Sequence, residues 1–231
     1  MLTVNHIIFL REHNNIVEGL RSLGLTDGEL LYQEAKKILT GIYQHIIYNE
    51  YLPAILGKKS VNIFGLRSTP FGYSTRYYPG VNAATRNAFG SAAYRFGHSL
   101  VGSFVESFNE DFTPRASDLL QRHFFSVRTI RDANNLFGSE RISKWMTTQF
   151  QSQADRFLTP AVRNHLFETI PFNGFDLSAL NIQRGRDHGI PPYNRWRQYC
   201  GLRPALTFTA GPFGLVDHDP SAAQALASVY R

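Results

Sequence analysis

Two stretches of helical apolar spacing fill the first fifty residues of this 231-residue chain and constrain its fold most strongly. The first runs over residues 2–23 and ends at Gly24, a typical residue after the last helical turn. Thr26 and Glu29 have the spacing of a capping box and predict a second helix over about 27–52, which Pro53 ends. The stripes recur at helical intervals: Leu2, Ile7, Leu10, Val17, Leu20 in the first and Leu31, Ala35, Ile38, Ile42, Tyr43, Ile46 in the second. We therefore expect a mainly α fold.

The remaining pattern predicts further helices joined by long loops. A Gly-, Ser- and Pro-rich loop is expected over 57–83, a third helix over 84–108, and a shorter helix after Thr113 and Pro114. Residues 126–158 read as irregular or broken helix, and Pro160 has the position of a first helical residue. Asp176 caps a helix that closes at Gly189, a short helix follows to about 201, residues 203–220 form a loop, and 221–231 are helical. We find no strand-rich block and no internal repeat.

Composition excludes several classes of protein. One cysteine allows no internal disulfide and no cysteine-based metal cage, and no apolar run is long enough for a membrane span. The first fifteen residues carry charges where a signal peptide needs an apolar core. The net charge of +6 comes mostly from scattered arginines, and no nucleic-acid-binding motif is present. A solvated basic surface with some Arg–carboxylate pairs is therefore favoured over a nucleic-acid partner.

His98 stands out among the eight histidines because it lies in a stretch of Ala, Gly and Ser that leaves room for a flat, bulky group. Arg95 precedes it by three residues, on the same helix side. Gly97 costs about 1 kcal/mol of helix stability relative to alanine, which calls for a packing reason. A neutral imidazole binding a metal, beside a guanidinium binding a carboxylate of the same ligand, would suit haem. A core histidine beside a surface arginine is the alternative, and spacing alone favours it.

A second cluster lies in the helix after Asp176. Asn181, Arg184 and His188 are spaced i, i+3 and i+7, which puts them on one helix face. An Asn carboxamide can accept the ring N–H of a metal-ligating histidine, and Arg184 can meet a carboxylate one turn on. Leu177 and Leu180 can supply apolar contact to a macrocycle. The alternative is a capped helix with structural salt bridges, which we accept for the neighbouring Arg186 and Asp187.

Several segments, arranged in the same order, resemble the animal haem peroxidase superfamily, with its peroxinectin-like and peroxidasin-like members the most similar. They span nearly the whole chain: LREHNN (10–15), LYQEAKKI (31–38), YNEYLPAILG (48–57), YRFGHSLV (94–101), SVRTIRDANNLF (126–137) and FDLSALNIQRGRDHGIPPYNRWRQYCGL (175–202). The long last segment is the most specific.

The resemblance implies a role for each matching residue. His98 matches the proximal ligand of the haem iron, and Asn181 matches the acceptor of its ring N–H. Arg95 and Arg184 match the arginines that hold the haem propionates. The run Arg186-Asp187-His188 matches a structural turn. The implied cofactor is haem b, which can be covalently linked in the complete protein, and the implied substrates are hydrogen peroxide and a small reducing substrate.

The resemblance also implies what this chain lacks. In the family the distal His, the catalytic Arg, the ester-forming carboxylates and a calcium loop lie upstream of the segment that matches Met1. We therefore expect residues 1–231 to form part of a single peroxidase domain, its proximal haem side, with no catalytic residue of its own and little activity alone. A secreted location follows from the resemblance only. The alternatives are a non-enzymatic adhesion protein, for which Arg184-Gly185-Arg186-Asp187 is a poor match, and a nucleic-acid-binding protein.

Overall fold

The computed structural model describes residues 1–74, 77–131 and 136–230. Its α-helices are as follows: α1 Leu2–Ser22, α2 Gly28–Ile46, α3 Leu52–Ile63, α4 Asn87–Ser91, α5 Val127–Arg131, α6 Ser139–Thr148, α7 Pro160–Arg163, α8 Leu177–Asp187, α9 Tyr193–Tyr199 and α10 Pro220–Val229. A π-helical turn spans Ile47–Tyr51, and 3₁₀ helices span Ala93–Leu100 and Leu120–His123. The strands β1 Phe104–Phe108 and β2 Pro114–Leu119 form an antiparallel pair. The fold is mainly α, as the sequence predicts.

The second helix begins and ends differently from the prediction. Its N-cap is Asp27, whose carboxylate accepts the backbone N–H of Leu30, so the prediction of Thr26 as the cap was wrong. Pro53 does not stop the helix, because a π-helical turn leads into α3, in whose first turn Pro53 lies. The wider π turn accommodates a ring that would otherwise crowd the carbonyl four residues earlier. The predicted loop over 57–83 therefore starts too early: α3 continues to Ile63, with a kink at Gly57, where φ is +74°.

The predicted third helix over 84–108 was also wrong. The chain forms α4, a 3₁₀ helix and then β1, with Ala92 leaving helical geometry between the first two. Glycine is a weak helix former, and serine hydroxyls compete for backbone groups, so tertiary contacts decide the conformation here. Val105 is buried against Val4 and Ile142, which favours an extended strand with alternating faces.

The shorter helix predicted after Pro114 is instead the strand β2. Proline lacks the N–H of a sheet ladder and is tolerated at the first residue of a strand, which is the position of Pro114. The connecting turn is held by Asp111, whose carboxylate accepts the backbone N–H and the hydroxyl of Thr113. This side chain–backbone turn specifies a hairpin rather than a helix start.

The chain divides into two compact units. The first comprises residues 1–84 and 99–175, and the second comprises 85–98 and 176–231. In the first unit α1 packs on α2 and α6, and α6 packs on β1. Its core cluster consists of Val4, Val105 and Ile142, with Leu120, Ile130, Phe137, Trp145 and Met146 against it.

The second unit contains α4 and α8–α10, and the two ends of α8 agree with the sequence prediction. Asp176 caps α8 by accepting the N–H groups of Ser178 and Ala179, and Gly189 follows the helix with φ +61°, both as predicted. Buried Arg197 donates to Tyr193, Asp217 and the carbonyl of Arg203, and so ties α9 to the loop that follows it.

The other helix predictions are confirmed. Pro160 begins α7, and the described part of 126–158 contains the two separate helices α5 and α6, as the prediction of broken helix expects. Residues 75 and 76 of the predicted loop, 132–135 of the 126–137 motif and Arg231 of the last helix lie outside the described residues. Over the described ranges no helix is both long and apolar enough to cross a membrane.

Candidate functional site

His98 lies near the end of the 3₁₀ helix Ala93–Leu100, in the second unit. A 3₁₀ helix has three residues per turn, so side chains three apart eclipse one another. Arg95 and His98 therefore project from the same side of the segment, more closely aligned than on the predicted α-helix. A Cβ built on Gly97 would meet no atom within 4 Å among the described residues, so there is open space beside the backbone at this point.

Asn181 of α8 contacts both of these side chains. Its amide nitrogen, Nδ2, lies 2.9 Å from His98 Nδ1, and its oxygen, Oδ1, accepts from Arg95 Nη1 at 3.4 Å. Three residues that the sequence singles out, separated by 83 and 86 positions, are thus brought into one hydrogen-bonded group.

The orientation of the Asn181 carboxamide has a chemical consequence. Its NH₂ group can only donate, so His98 Nδ1 acts as the acceptor and the neutral ring carries its proton on Nε2. The sequence expectation has Asn181 accepting a ring N–H instead. That arrangement requires the carboxamide to turn over, which would face its NH₂ group toward the guanidinium of Arg95.

Electrostatics favour a neutral His98. Burial, and then the positive charge of Arg95, lower the pKa of His98 below its usual value. A neutral imidazole is the form that ligates metals. Arg95 Nε is itself buried and has no hydrogen-bond partner among the described residues. A buried N–H without an acceptor costs free energy, and a carboxylate is the acceptor that suits a guanidinium best.

The other predicted residues lie on α8 with more exposure. Arg184 is about half exposed and lies 3.7 Å from Asp187, so the structural salt bridge expected for Asp187 is made with Arg184. Leu177 is half-buried, and Leu180 is 40% exposed.

One interaction at this site was missed at the sequence level. His188, on the predicted face of α8, pairs with Asn87 of α4 through two hydrogen bonds. The partners are 101 residues apart, and Asn87 lies in the segment 84–108, for which the sequence predicts a single long helix. No short-range signal in the sequence indicates the pair.

Two other histidines have carboxylate partners in the first unit. His123 Nε2 lies 3.3 Å from Asp118, and its Nδ1 lies 2.7 Å from the hydroxyl of Thr129. His165 Nδ1 lies 2.6 Å from Glu168. No group of three or more His, Cys, Asp or Glu suited to a metal ion occurs in the part of the chain that the structure describes.

Comparison with known proteins gives consistent results. A family model described as animal haem peroxidase matches residues 1–231. A peroxidase-like protein of Margaritifera margaritifera is 44% identical over the whole chain, and human peroxidasin homolog is 40% identical over 90% of it. Among solved structures, peroxidase A from Dictyostelium discoideum matches 96% of the chain with a TM-score of 0.78 and 31% identity.

The matches cover only part of each relative. The chain spans 30% of the Margaritifera protein and 14% of human peroxidasin homolog. It spans 39% of the Dictyostelium structure.

Proposed function

The chain belongs to the animal haem peroxidase family, and from this we propose that it carries the proximal haem-binding part of a hydrogen-peroxide-dependent oxidoreductase. The observation that supports the proposal most strongly is the group formed by His98, Asn181 and Arg95. It combines an imidazole, an amide that holds it and a guanidinium whose buried Nε has no acceptor among the described residues.

The residues present fit the cofactor. The buried Arg95 Nε, which has no partner within the described ranges, suits a propionate carboxylate, and the lowered pKa of His98 suits a neutral metal ligand. In this proposal His98 would coordinate the iron through Nε2, and Asn181 would hold Nδ1. The second arginine, Arg184, would exchange its long pairing with Asp187 for the other propionate.

When bound, haem b would supply the redox-active iron that reacts with hydrogen peroxide and then accepts electrons from a small reducing substrate. The chain's own contribution is binding and orientation. A ligating histidine whose other ring nitrogen donates to an acceptor is fixed in direction and becomes a stronger base. For Asn181 to be that acceptor, its carboxamide must turn over. This would become favourable if a propionate replaced Asn181 as the acceptor of the Arg95 hydrogen bond. Leu177 and Leu180 would provide apolar contact.

We assign no residue of this chain to peroxide cleavage. We expect the chain by itself to bind haem weakly and to turn over peroxide poorly. Calcium binding, covalent haem linkage and an extracellular location are proposals for the longer protein, taken from the family. No observation favours adhesion, since residues 184–187 form the last turn of α8 and Asp187 is paired there.

The test is to add haem to the purified chain and follow both the Soret absorbance and the peroxide-dependent oxidation of a phenolic donor. A saturable Soret shift with poor turnover is expected. An unchanged spectrum would contradict haem binding. Turnover equal to that of an intact peroxidase would contradict the assignment of this chain to the proximal side alone.

A further inference from the structure

Two separate hydrogen-bonded attachments join the segment 85–98 to α8. One is at Asn181, which contacts both His98 and Arg95. The other is Asn87 with the end of α8: Asn87 Nδ2 donates to the carbonyl of His188 at 3.0 Å, and Asn87 Oδ1 lies 2.9 Å from His188 Nδ1. The Asn87 carboxamide thus binds the backbone and the side chain of the same residue.

We propose that Asn87 and His188 form a positioning pair that sets the direction of the His98 ring. The proposal rests on the proposed function, in which His98 is the iron ligand. Neither residue would touch the haem. They would act by fixing the segment that carries His98 on the helix that carries Asn181.

The need for a second attachment follows from the kind of helix involved. A 3₁₀ helix has poor hydrogen-bond geometry and holds its own shape weakly. The contacts of His98 and Arg95 both go to the side chain of Asn181, so on their own they would leave that segment free to rotate about this one residue. Asn181 and His188 are seven residues apart on α8, or about 10.5 Å along the axis. Two attachments at that separation fix both the position and the orientation of segment 85–98 on α8.

The pair is itself held firmly on both sides. His188 caps α8, with its backbone N–H donating to Arg184, and Gly189 then takes φ +61°, so the His188 backbone is fixed by the helix end. On the other side Ser91, which is buried, donates its hydroxyl to Asn87 Oδ1 at 2.9 Å. The Asn87 Oδ1 atom therefore contacts both Ser91 within α4 and His188 at the end of α8.

A displaced ring would be costly because metal–ligand distances tolerate only about 0.2 Å of error. Loss of residues that orient a metal-binding histidine typically weakens metal affinity by about 10- to 100-fold. Asn87 lies outside the immediate ligand group, so we expect the lower end of that range for its loss.

The first arm of the test needs no haem. The whole chain with labelled histidine is compared by NMR as wild type, Asn87→Ala and Asn194→Ala. Asn194 is the matched control, since its carboxamide makes an equivalent pair of bonds to the backbone of Ala205 in the same unit and is more buried than Asn87. The His98 ring signals should shift or broaden in Asn87→Ala and stay in place in Asn194→Ala.

The second arm measures haem affinity and the Soret maximum. Asn87→Ala should bind iron protoporphyrin about 10-fold more weakly, with an altered Soret maximum, whereas Asn194→Ala should stay within about twofold of the wild type. Asn87→Asp keeps the acceptor for His188 Nδ1 but loses the donor to the His188 carbonyl, so it should restore the wild-type His98 signals and Soret maximum only in part. If Asn87→Ala does not fold, His188→Gln serves as the test variant and should show the displaced His98 signals.

The two arms separate this proposal from the proposed function. If the wild type shows no haem binding, the proposed function fails, and the NMR comparison still decides whether Asn87 positions His98. If Asn87→Ala and Asn194→Ala lower the melting temperature alike and both leave the His98 signals unchanged, the positioning role is overturned. Where His188→Gln replaces Asn87→Ala, unchanged His98 signals in His188→Gln overturn the positioning role as well.

Discussion

Asn181 Nδ2 and His98 Nδ1 lie 2.9 Å apart, although 83 residues separate them in the chain. The contact is made by the donor end of the carboxamide, because Arg95 occupies the acceptor end at 3.4 Å. The proton of the neutral His98 ring is therefore expected on Nε2 in the haem-free chain. Coordination through Nε2 requires the other tautomer, so haem binding and the orientation of this amide should be coupled.

Removing the competitor for the amide oxygen should change the tautomer. In Arg95→Leu, Oδ1 of Asn181 is free to accept from Nδ1–H, so the population with the proton on Nδ1 should rise. Long-range ¹H–¹⁵N correlation spectra of the haem-free chain report this directly, with Arg21→Leu as the control on α1, where Arg21 pairs with Glu18. Identical His98 tautomers in wild type and Arg95→Leu would count against the coupling.

Replacing the Asn181 amide by a carboxylate should also move the proton of the His98 ring to Nδ1. In Asn181→Asp, both terminal atoms accept, so His98 must donate from Nδ1. The nearby carboxylate should also raise the pKa of His98 relative to the wild type, in which burial and Arg95 lower it. An NMR titration of the ring measures both quantities. A proton that stays on Nε2 in Asn181→Asp would show that the contact does not set the tautomer.

Because Arg95 Nε has no hydrogen-bond partner in the described part of the chain, we predict that haem binding depends on the charge of the propionates. The wild type should prefer haem to haem dimethyl ester, whose propionates are uncharged. A hydrogen bond to a charged group contributes about 1.5–3 kcal/mol, and partial exposure of Arg95 reduces this, so a preference of about 10-fold is expected. Arg95→Leu should show a smaller preference, with the remainder due to Arg184, which is proposed to hold the other propionate. Equal binding of both by the wild type would contradict a propionate role for Arg95.

Acid should destabilise the first unit through His123. Burial outweighs the attraction of Asp118 and lowers the pKa of His123 from its ordinary value of 6.5. The unfolded chain then binds a proton more readily than the folded one. The free energy of unfolding should therefore fall as pH drops below about 6.5.

His123→Gln removes this titration while keeping a polar side chain, so its stability should depend less on pH between about 7 and 5. Urea unfolding at several pH values measures both slopes. His98 contributes a dependence of the same sign in both proteins, since its pKa is also lowered. If the wild type and His123→Gln have parallel pH dependences, the His123 environment is not the cause.

The first unit should depend on Ile142, which is 1% exposed in the core with Val4 and Val105. Ile142→Ala leaves a cavity and should cost about 2–5 kcal/mol of unfolding free energy. The matched control is Ile63→Ala, because Ile63 is 68% exposed and surface changes usually stay within about 0.5 kcal/mol. Urea denaturation measures both, and equal losses would contradict the assignment of the core.

Capping and proline signals in the sequence were enough to predict helices whose ends are set by residues at those ends. Asp176 and Gly189 define α8 without help from distant contacts, and Pro160 begins α7 as predicted. The prediction of one helix over 84–108 was wrong because glycine and serine have weak local preferences, so that tertiary packing determines the conformation of this segment. Burial of Val105 against Val4 decides for a strand there, and no local spacing reveals a partner a hundred residues away.

The candidate site shows the same division. The spacing of Asn181 and His188 correctly places both on one face of α8, and the three-residue spacing of Arg95 and His98 places them on one side of their segment. The pairing of these sets across more than 80 residues is tertiary information. Arg184 illustrates the limit, since the sequence singles it out for a ligand carboxylate and does not show that it pairs with Asp187 within α8.

The central claim is that His98 binds the haem iron, and a spectrophotometric haem titration of His98→Ala tests it most directly. The control is His45→Ala, which removes an exposed imidazole from α2. We predict that the wild type and His45→Ala show the same saturable Soret shift and that His98→Ala loses it, with exogenous imidazole restoring it in part. A His98→Ala chain that gives the wild-type Soret maximum and affinity would contradict the claim.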